Sequence, residues 1–112
     1  MNVDQKMAEM ALRVRTMEKE MKQLAEECAE LTQASLKYER ACEDDNVDYQ
    51  KALRNLAEEI GDVENVIAGV KAMMDIKHPD FQQMINDSRE YKAYRWALRI
   101  KKDKGIIIDL KD

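Results

Sequence analysis

The chain is poor in the residues that break helices, with three glycines and one proline in 112 residues. Few points can therefore interrupt a long helix. Aromatic residues make up only 5%. A chain this rich in Lys, Glu, Ala and Met is suited to helices and argues against a β-sandwich or barrel. There is a single histidine, His78, so a histidine-rich zinc site is excluded. It sits before Pro79 and reads as a residue capping a helix end.

Cysteine is scarce too, with Cys28 and Cys42 alone. On one helix they would stand about 21 Å apart at 1.5 Å per residue. A disulfide requires Cα atoms within roughly 7 Å, so no internal bridge is expected. Cys28 reads as a small core residue and Cys42 as a helix-end residue. No long apolar run, signal-peptide pattern or lipidation site stands out, and the expectation is a cytoplasmic protein with no membrane partner. Excess positive charge is also missing. The net charge is -4 and the pI about 5.1, which disfavours general nucleic-acid binding, including a DNA-binding helical dimer.

What is present is charge and helical periodicity. Charged residues make up 38% of the chain. The length allows one domain with a modest core, taken as residues 1–112. Val3, Met7, Met10, Val14, Met17, Met21, Leu24, Cys28, Leu31 and Tyr38 trace a seam near the heptad period. This predicts one long helix, or two helices broken near Thr16. The acidic stretch 43–47 reads as a loop, with Asn46 or Asp48 as the next cap. Leu53, Leu56, Ile60, Val63, Ile67, Val70 and Met74 mark a helix over 48–76. It ends at His78-Pro79, because the residue before proline disfavours helical dihedrals. A third stretch spans about Phe81 to Lys101, with a candidate interruption at Asn86-Asp87-Ser88 and a stop at Gly105. Ile106 to Ile108 form a short β-branched tail. The expected fold is all-α, an antiparallel helical bundle completed by oligomerisation as a homodimer or homotetramer.

The most informative feature is an internal echo. Residues 24–31 read Leu-Ala-Glu-Glu-Cys-Ala-Glu-Leu, and residues 56–63 read Leu-Ala-Glu-Glu-Ile-Gly-Asp-Val. With Cys28, Leu31, Ile60 and Val63 on the seam, Glu27 and Glu30 lie beside Leu31, and Glu59 and Asp62 lie beside Val63. Across an antiparallel pair these shoulders face one groove. Four converging carboxylates repel one another and raise their pKa values. A hard cation bound by oxygen alone, magnesium above all, removes that conflict. Ala25, Ala29, Ala57 and Gly61 would let the backbones approach closely there. The competing reading is a solvated acidic surface.

Glu26-Glu27-Cys28-Ala29-Glu30, followed after 28 residues by Glu59-Ile60-Gly61-Asp62, resembles the Glu-Glu-x-x-Glu…Glu-x-x-Asp signature of MazG-like nucleotide pyrophosphohydrolases. The text around it, Leu24 to Arg40 and Leu56 to Met74, and the later Lys92, Arg95 and Arg99 share the likeness, which covers roughly residues 20–100. Before Met21 the seam runs on where that family often shows a break. The resemblance implies an all-α hydrolase that splits a nucleoside triphosphate between the α and β phosphates. It implies magnesium, with manganese as a substitute, held by Glu27, Glu30, Glu59 and Asp62. Glu26, Glu27 and Glu58 are then the candidate catalytic carboxylates, with a second metal or plain helix surface as the alternatives for Glu26 and Glu58.

Between Arg89 and Lys104 there are seven Lys or Arg residues and two acids. Lys92, Arg95 and Arg99 share a helix face and suit phosphate contacts. A solvated basic face is the plainer reading. Asn65 and Trp96 are candidates for the sugar or base, although packing is the simpler role for Trp96, Tyr91 and Tyr94. Lys71 is a lesser phosphate candidate. Two other readings stand beside the nucleoside triphosphate pyrophosphohydrolase. One is a phosphoribosyl-ATP pyrophosphohydrolase of the same superfamily. The other is a non-enzymatic helical oligomerisation or adaptor module, which the long seam supports.

Overall fold

The structure is a computed structural model and describes residues 1–44 and 48–108. All regular structure among the described residues is helical: α1 (Val3–Val14), α2 (Met17–Glu43), α3 (Tyr49–Lys77) and α4 (Phe81–Lys104). The chain divides into two compact units, Met1–Lys77 and His78–Asp112.

In the first unit the long N-terminal seam is broken. Arg15 and Thr16 are extended, with ψ near 152° and 157°. The local chemistry explains the break. Thr16 Oγ1 accepts the Lys19 amide at 3.2 Å and caps α2, a role that suits a hydroxyl side chain better than a helix interior does. Arg15 turns its guanidinium onto Glu20, which is only 4% exposed, and so neutralises a buried charge. At the start of α1, Asn2 and Gln5 exchange side-chain and backbone hydrogen bonds in a capping box. Asp48 caps α3 by accepting the Lys51 amide at 3.1 Å. The other candidate cap, Asn46, lies outside the described residues, as does part of the predicted 43–47 loop.

The antiparallel course of α2 and α3 follows from three pairings. Tyr38 hydrogen-bonds Tyr49 at 2.8 Å, Glu27 and Glu30 meet Glu59, and Glu20 reaches Gly69. As numbers fall along α2 they rise along α3. α3 is the central element and packs against both α1 and α2.

The buried residues of this unit are small: Ala11, Ala34, Ala41, Ala52, Val63, Val66, Gly69 and Val70, with Glu20. On α2 the seam runs through Glu20, Glu27, Ala34 and Ala41 in steps of seven, and on α3 through Ala52, Glu59 and Val66 in the same steps. This is the heptad geometry of packed antiparallel helices. Leu24, Leu31, Leu56, Val63 and Val70 hold their expected seam places, buried or half-buried, but the other row is shifted by one position. Cys28, expected in the core, is exposed. Met21, Leu53 and Ile60 are also exposed, and form an outer apolar stripe beside the seam. Gly61 and its neighbours Ala25, Ala29 and Ala57 do not make the expected close approach. A side chain built at Gly61 would meet nothing within 4 Å, and the three alanines are exposed. Close approach occurs instead at Gly69. A Cβ there would stand 3.0 Å from Glu20 Oε2 and 3.1 Å from the Ala11 methyl.

In the second unit α4 runs without a break through Asn86-Asp87-Ser88. Gln82 donates to Asn86 at 3.0 Å and Gln83 to Asp87 at 2.7 Å, and these i,i+4 bonds support the helix there. Gly105 ends it in the left-handed conformation, φ 69°, with its amide bonded to the Lys101 carbonyl. Ile106 to Ile108 follow as exposed, irregular chain, and residues 109–112 of the tail lie outside the described residues. His78 makes no side-chain hydrogen bond among the described residues. Its carbonyl accepts the Phe81 amide at 2.9 Å.

Candidate metal centre

The seam between α2 and α3 buries alanine and valine, flanked by half-buried Leu24, Leu31 and Leu56, and carries acids at Glu20, Glu27 and Glu59. The shift of one row by one position moves Glu27 and Glu59 from the shoulder of the interface into it. A carboxylate there loses water, and each oxygen needs a hydrogen-bond donor or a cation in exchange. Glu27 Oε1 has one, the Gln23 side-chain amide at 2.8 Å. Glu27 Oε2 and Glu59 Oε2 are shielded from solvent and have no hydrogen-bond partner.

One carboxylate oxygen from each of Glu27, Glu30 and Glu59 lies within 4.8 Å of the others. Glu27 and Glu59 sit in the interface and Glu30 at its exposed rim. Asp62, expected as the fourth ligand, is exposed and is not among the three that converge, although its charge acts on Glu27. Burial raises the Glu27 carboxyl above its ordinary value, the Gln23 hydrogen bond opposes this, and the charges of Glu30 and Asp62 push it further up. Acidic side chains often cluster on helices without purpose. The two shielded, unpartnered oxygens set this group apart, because removing them from water destabilises the empty seam.

The donor set fits a hard divalent cation. All candidate ligand atoms are carboxylate oxygens, with no histidine or thiolate among them, and two of the three residues, Glu27 and Glu59, carry a shielded oxygen with no partner. Oxygen-only coordination is the pattern of magnesium, calcium and manganese.

Glu26 and Glu58 lie outside this cluster. Glu26 is exposed on α2. Glu58 faces a separate cavity of about 670 Å³, lined also by Lys37, Arg40, Lys51, Arg54 and Asn55. Asn65 is half-buried on α3 beyond Asp62, and Lys71 is half-buried further along it. On α4, Lys92, Arg95, Trp96 and Arg99 line one small cavity of about 240 Å³, and the Arg95 guanidinium lies 5.7 Å from the centre of the Tyr91 ring. Trp96 is 65% exposed, and Tyr91 and Tyr94 are exposed as well, so none of the three packs into a core.

Two features were not drawn from the sequence. Gln23 stands four residues before Glu27, a spacing that puts them on one helix face. The basic cavity draws Lys37 and Arg40 from α2, and Lys51 and Arg54 from α3. Its signal was a pair of cations three residues apart on either side of the loop. Comparison with protein-family models, curated proteins and solved structures finds no match for this chain.

Proposed function

We propose that this chain is a magnesium-dependent nucleoside triphosphate pyrophosphohydrolase, of the MazG-like kind that its acidic motif resembles. The observation that carries the reading is the convergence of Glu27, Glu30 and Glu59, with two shielded oxygens that have no partner in the protein. In this reading Glu27, Glu30, Glu59 and Asp62 hold the cation. Such an ion neutralises phosphoanhydride charge and makes a bound water more acidic. The protein's own contribution is positional. Gln23 orients the Glu27 carboxylate through Oε1 and leaves Oε2 turned away from that bond. Glu26 and Glu58, outside the cluster, remain free to take a proton from water or to face substrate. Lys92, Arg95 and Arg99 line one cavity with Trp96 and offer guanidinium and ammonium donors to phosphate, with an indole face for a base. The half-buried Asn65 offers an amide to the sugar or base.

Assembly belongs to the same reading. Met21, Leu53 and Ile60 form an exposed apolar stripe beside the seam, and association into a homodimer or homotetramer would cover it.

The test is pyrophosphate release from a panel of ribo- and deoxynucleoside triphosphates and phosphoribosyl-ATP, with and without magnesium. Magnesium-dependent release by the wild type, lost in Glu59→Gln and in Asp62→Asn, supports the proposal. No release from any of these substrates refutes it and leaves the helical adaptor reading.

A further inference from the structure

The cavity at the loop end of the α2–α3 hairpin is unusual in its charge. Four cations line it: Lys37 and Arg40 from α2, and Lys51 and Arg54 from α3. None of the four makes an ion pair among the described residues; the pairs found there are Arg13–Glu9, Arg15–Glu20 and Lys22–Glu18. The two acids on the cavity wall offset only half of this charge: Asp48, whose Oδ1 also caps α3, and Glu58 stand against four cations. Unpaired like charges gathered around one cavity repel, and a bound anion relieves them.

The cavity lies on the side of the hairpin that carries Glu30, at the rim of the acidic cluster, and Asp62. Lys51, Asn55, Glu58 and Asp62 follow each other at spacings of four, three and four, the stripe of a single helix face. Glu58, next in sequence to the cluster's Glu59, lines the cavity. On α2, Glu30 and Lys37 are seven residues apart and so point to the same side. At 1.5 Å per residue, Asn55 and Lys51 stand about 6 and 12 Å from Glu59 along the α3 axis. The hairpin therefore presents four acids and, within a few turns toward the loop, four cations.

We infer that this basic cavity is an anion subsite for the phosphate chain of a nucleotide whose cation is held at Glu27, Glu30 and Glu59. The inference rests on the reading of that cluster as a nucleotide site. Arg40 and Arg54 supply forked donors suited to phosphate oxygens, and Lys37 and Lys51 supply point charges. Asn55 adds a neutral amide donor between the two charged ends. The subsite lies wholly within the first unit and needs no contribution from α4.

The experiment is calorimetric titration of the full chain with inorganic tripolyphosphate in metal-free buffer. Three proteins are compared: wild type, Lys51→Gln with Arg54→Gln, and Lys92→Gln with Arg95→Gln. All substituted residues are exposed, and circular dichroism checks that helicity is kept. The expected result is saturable, salt-sensitive binding to wild type, weakened on the order of tenfold or more by the cavity variant. A Lys51→Arg variant should keep that binding. Absence of saturable binding to wild type, or equal binding by the cavity variant, overturns the inference. Binding through the cavity without pyrophosphate release from any nucleotide upholds the anion subsite and refutes the hydrolase reading. Pyrophosphate release together with binding that only the α4 variant weakens does the reverse.

Discussion

Two glycines eight residues apart on α3 should respond oppositely to the same substitution. Replacing glycine by alanine inside a helix gains about 1 kcal/mol of propensity. At Gly61 the new methyl meets nothing within 4 Å, so that gain stands alone. At Gly69 the methyl would stand 3.0 Å from Glu20 Oε2 and 3.1 Å from the Ala11 Cβ. Ala11 cannot retreat without moving α1, and the Glu20 carboxylate is held by Arg15. Overpacking of this kind costs about 1–3 kcal/mol. The net result is a Gly61→Ala variant about 1 kcal/mol more stable than wild type and a Gly69→Ala variant from near parity to about 2 kcal/mol less stable. Urea denaturation followed by helical circular dichroism reads both, and a 1 kcal/mol change shifts the melting temperature by roughly 4–8 °C in a domain of this size. If Gly69→Ala is stabilised as much as Gly61→Ala, α1 does not seat on α3 at Gly69 and the packing argument fails. If Gly61→Ala loses stability, that stretch of α3 beside the acidic cluster is covered by another surface in solution.

The remaining expectations concern charge. Burial first, and neighbouring carboxylates next, hold the Glu27 carboxyl above its ordinary value of 4.5. Its protonated form therefore favours the fold, a contribution complete below that value and lost as pH rises through the higher folded value. Melting temperature measured against pH in chelator should accordingly show Glu27→Gln more stable than wild type near pH 7, with the difference shrinking toward pH 4; an unchanged difference would remove Glu27 from the strained cluster. Magnesium at a hundred times its dissociation constant should stabilise wild type by about 2.7 kcal/mol and leave Glu59→Gln unmoved in a thermal-shift assay; equal shifts would place the ion elsewhere. Arg15→Ala strands the Glu20 carboxylate, 6% exposed in its side chain, and should cost about 1–3 kcal/mol, less than a fully buried pair because Arg15 is partly solvated. Chemical denaturation checks this, and a neutral result would mean that Glu20 is satisfied without Arg15.

Much of the helical layout was legible because its signals are local. His78-Pro79 stops α3 just after Lys77, Gly105 stops α4, and Asp48 caps α3 through a bond only three residues long. The Leu-Ala-Glu-Glu echo identified three acids that converge, Glu27, Glu30 and Glu59, but also named Asp62, which is not among them. Other features were beyond local reading. Adjacent apolar stripes run along both α2 and α3, and periodicity alone does not say which of them meets the neighbour. One row of the expected seam holds, with Leu31, Val63 and Val70 buried or half-buried, but in the other row Met21, Cys28, Leu53 and Ile60 were expected and Glu20, Glu27, Ala52 and Glu59 take their place. The break at Arg15-Thr16 was one of two readings; the Thr16 cap and the Arg15–Glu20 pair that mark it are local, but the burial of Glu20 against Gly69 of α3 is tertiary.

By itself, then, the sequence determined the helical class, most helix ends and the acidic pairs, since each depends on residues within a few turns. Only the tertiary structure decided that Glu27 and Glu59 lose water inside the seam, that Gly69 rather than Gly61 carries the close approach, and that Lys37, Arg40, Lys51 and Arg54 gather around one cavity. The physical reason is that desolvation, steric contact and charge convergence are properties of surfaces brought together, and no single helix contains them.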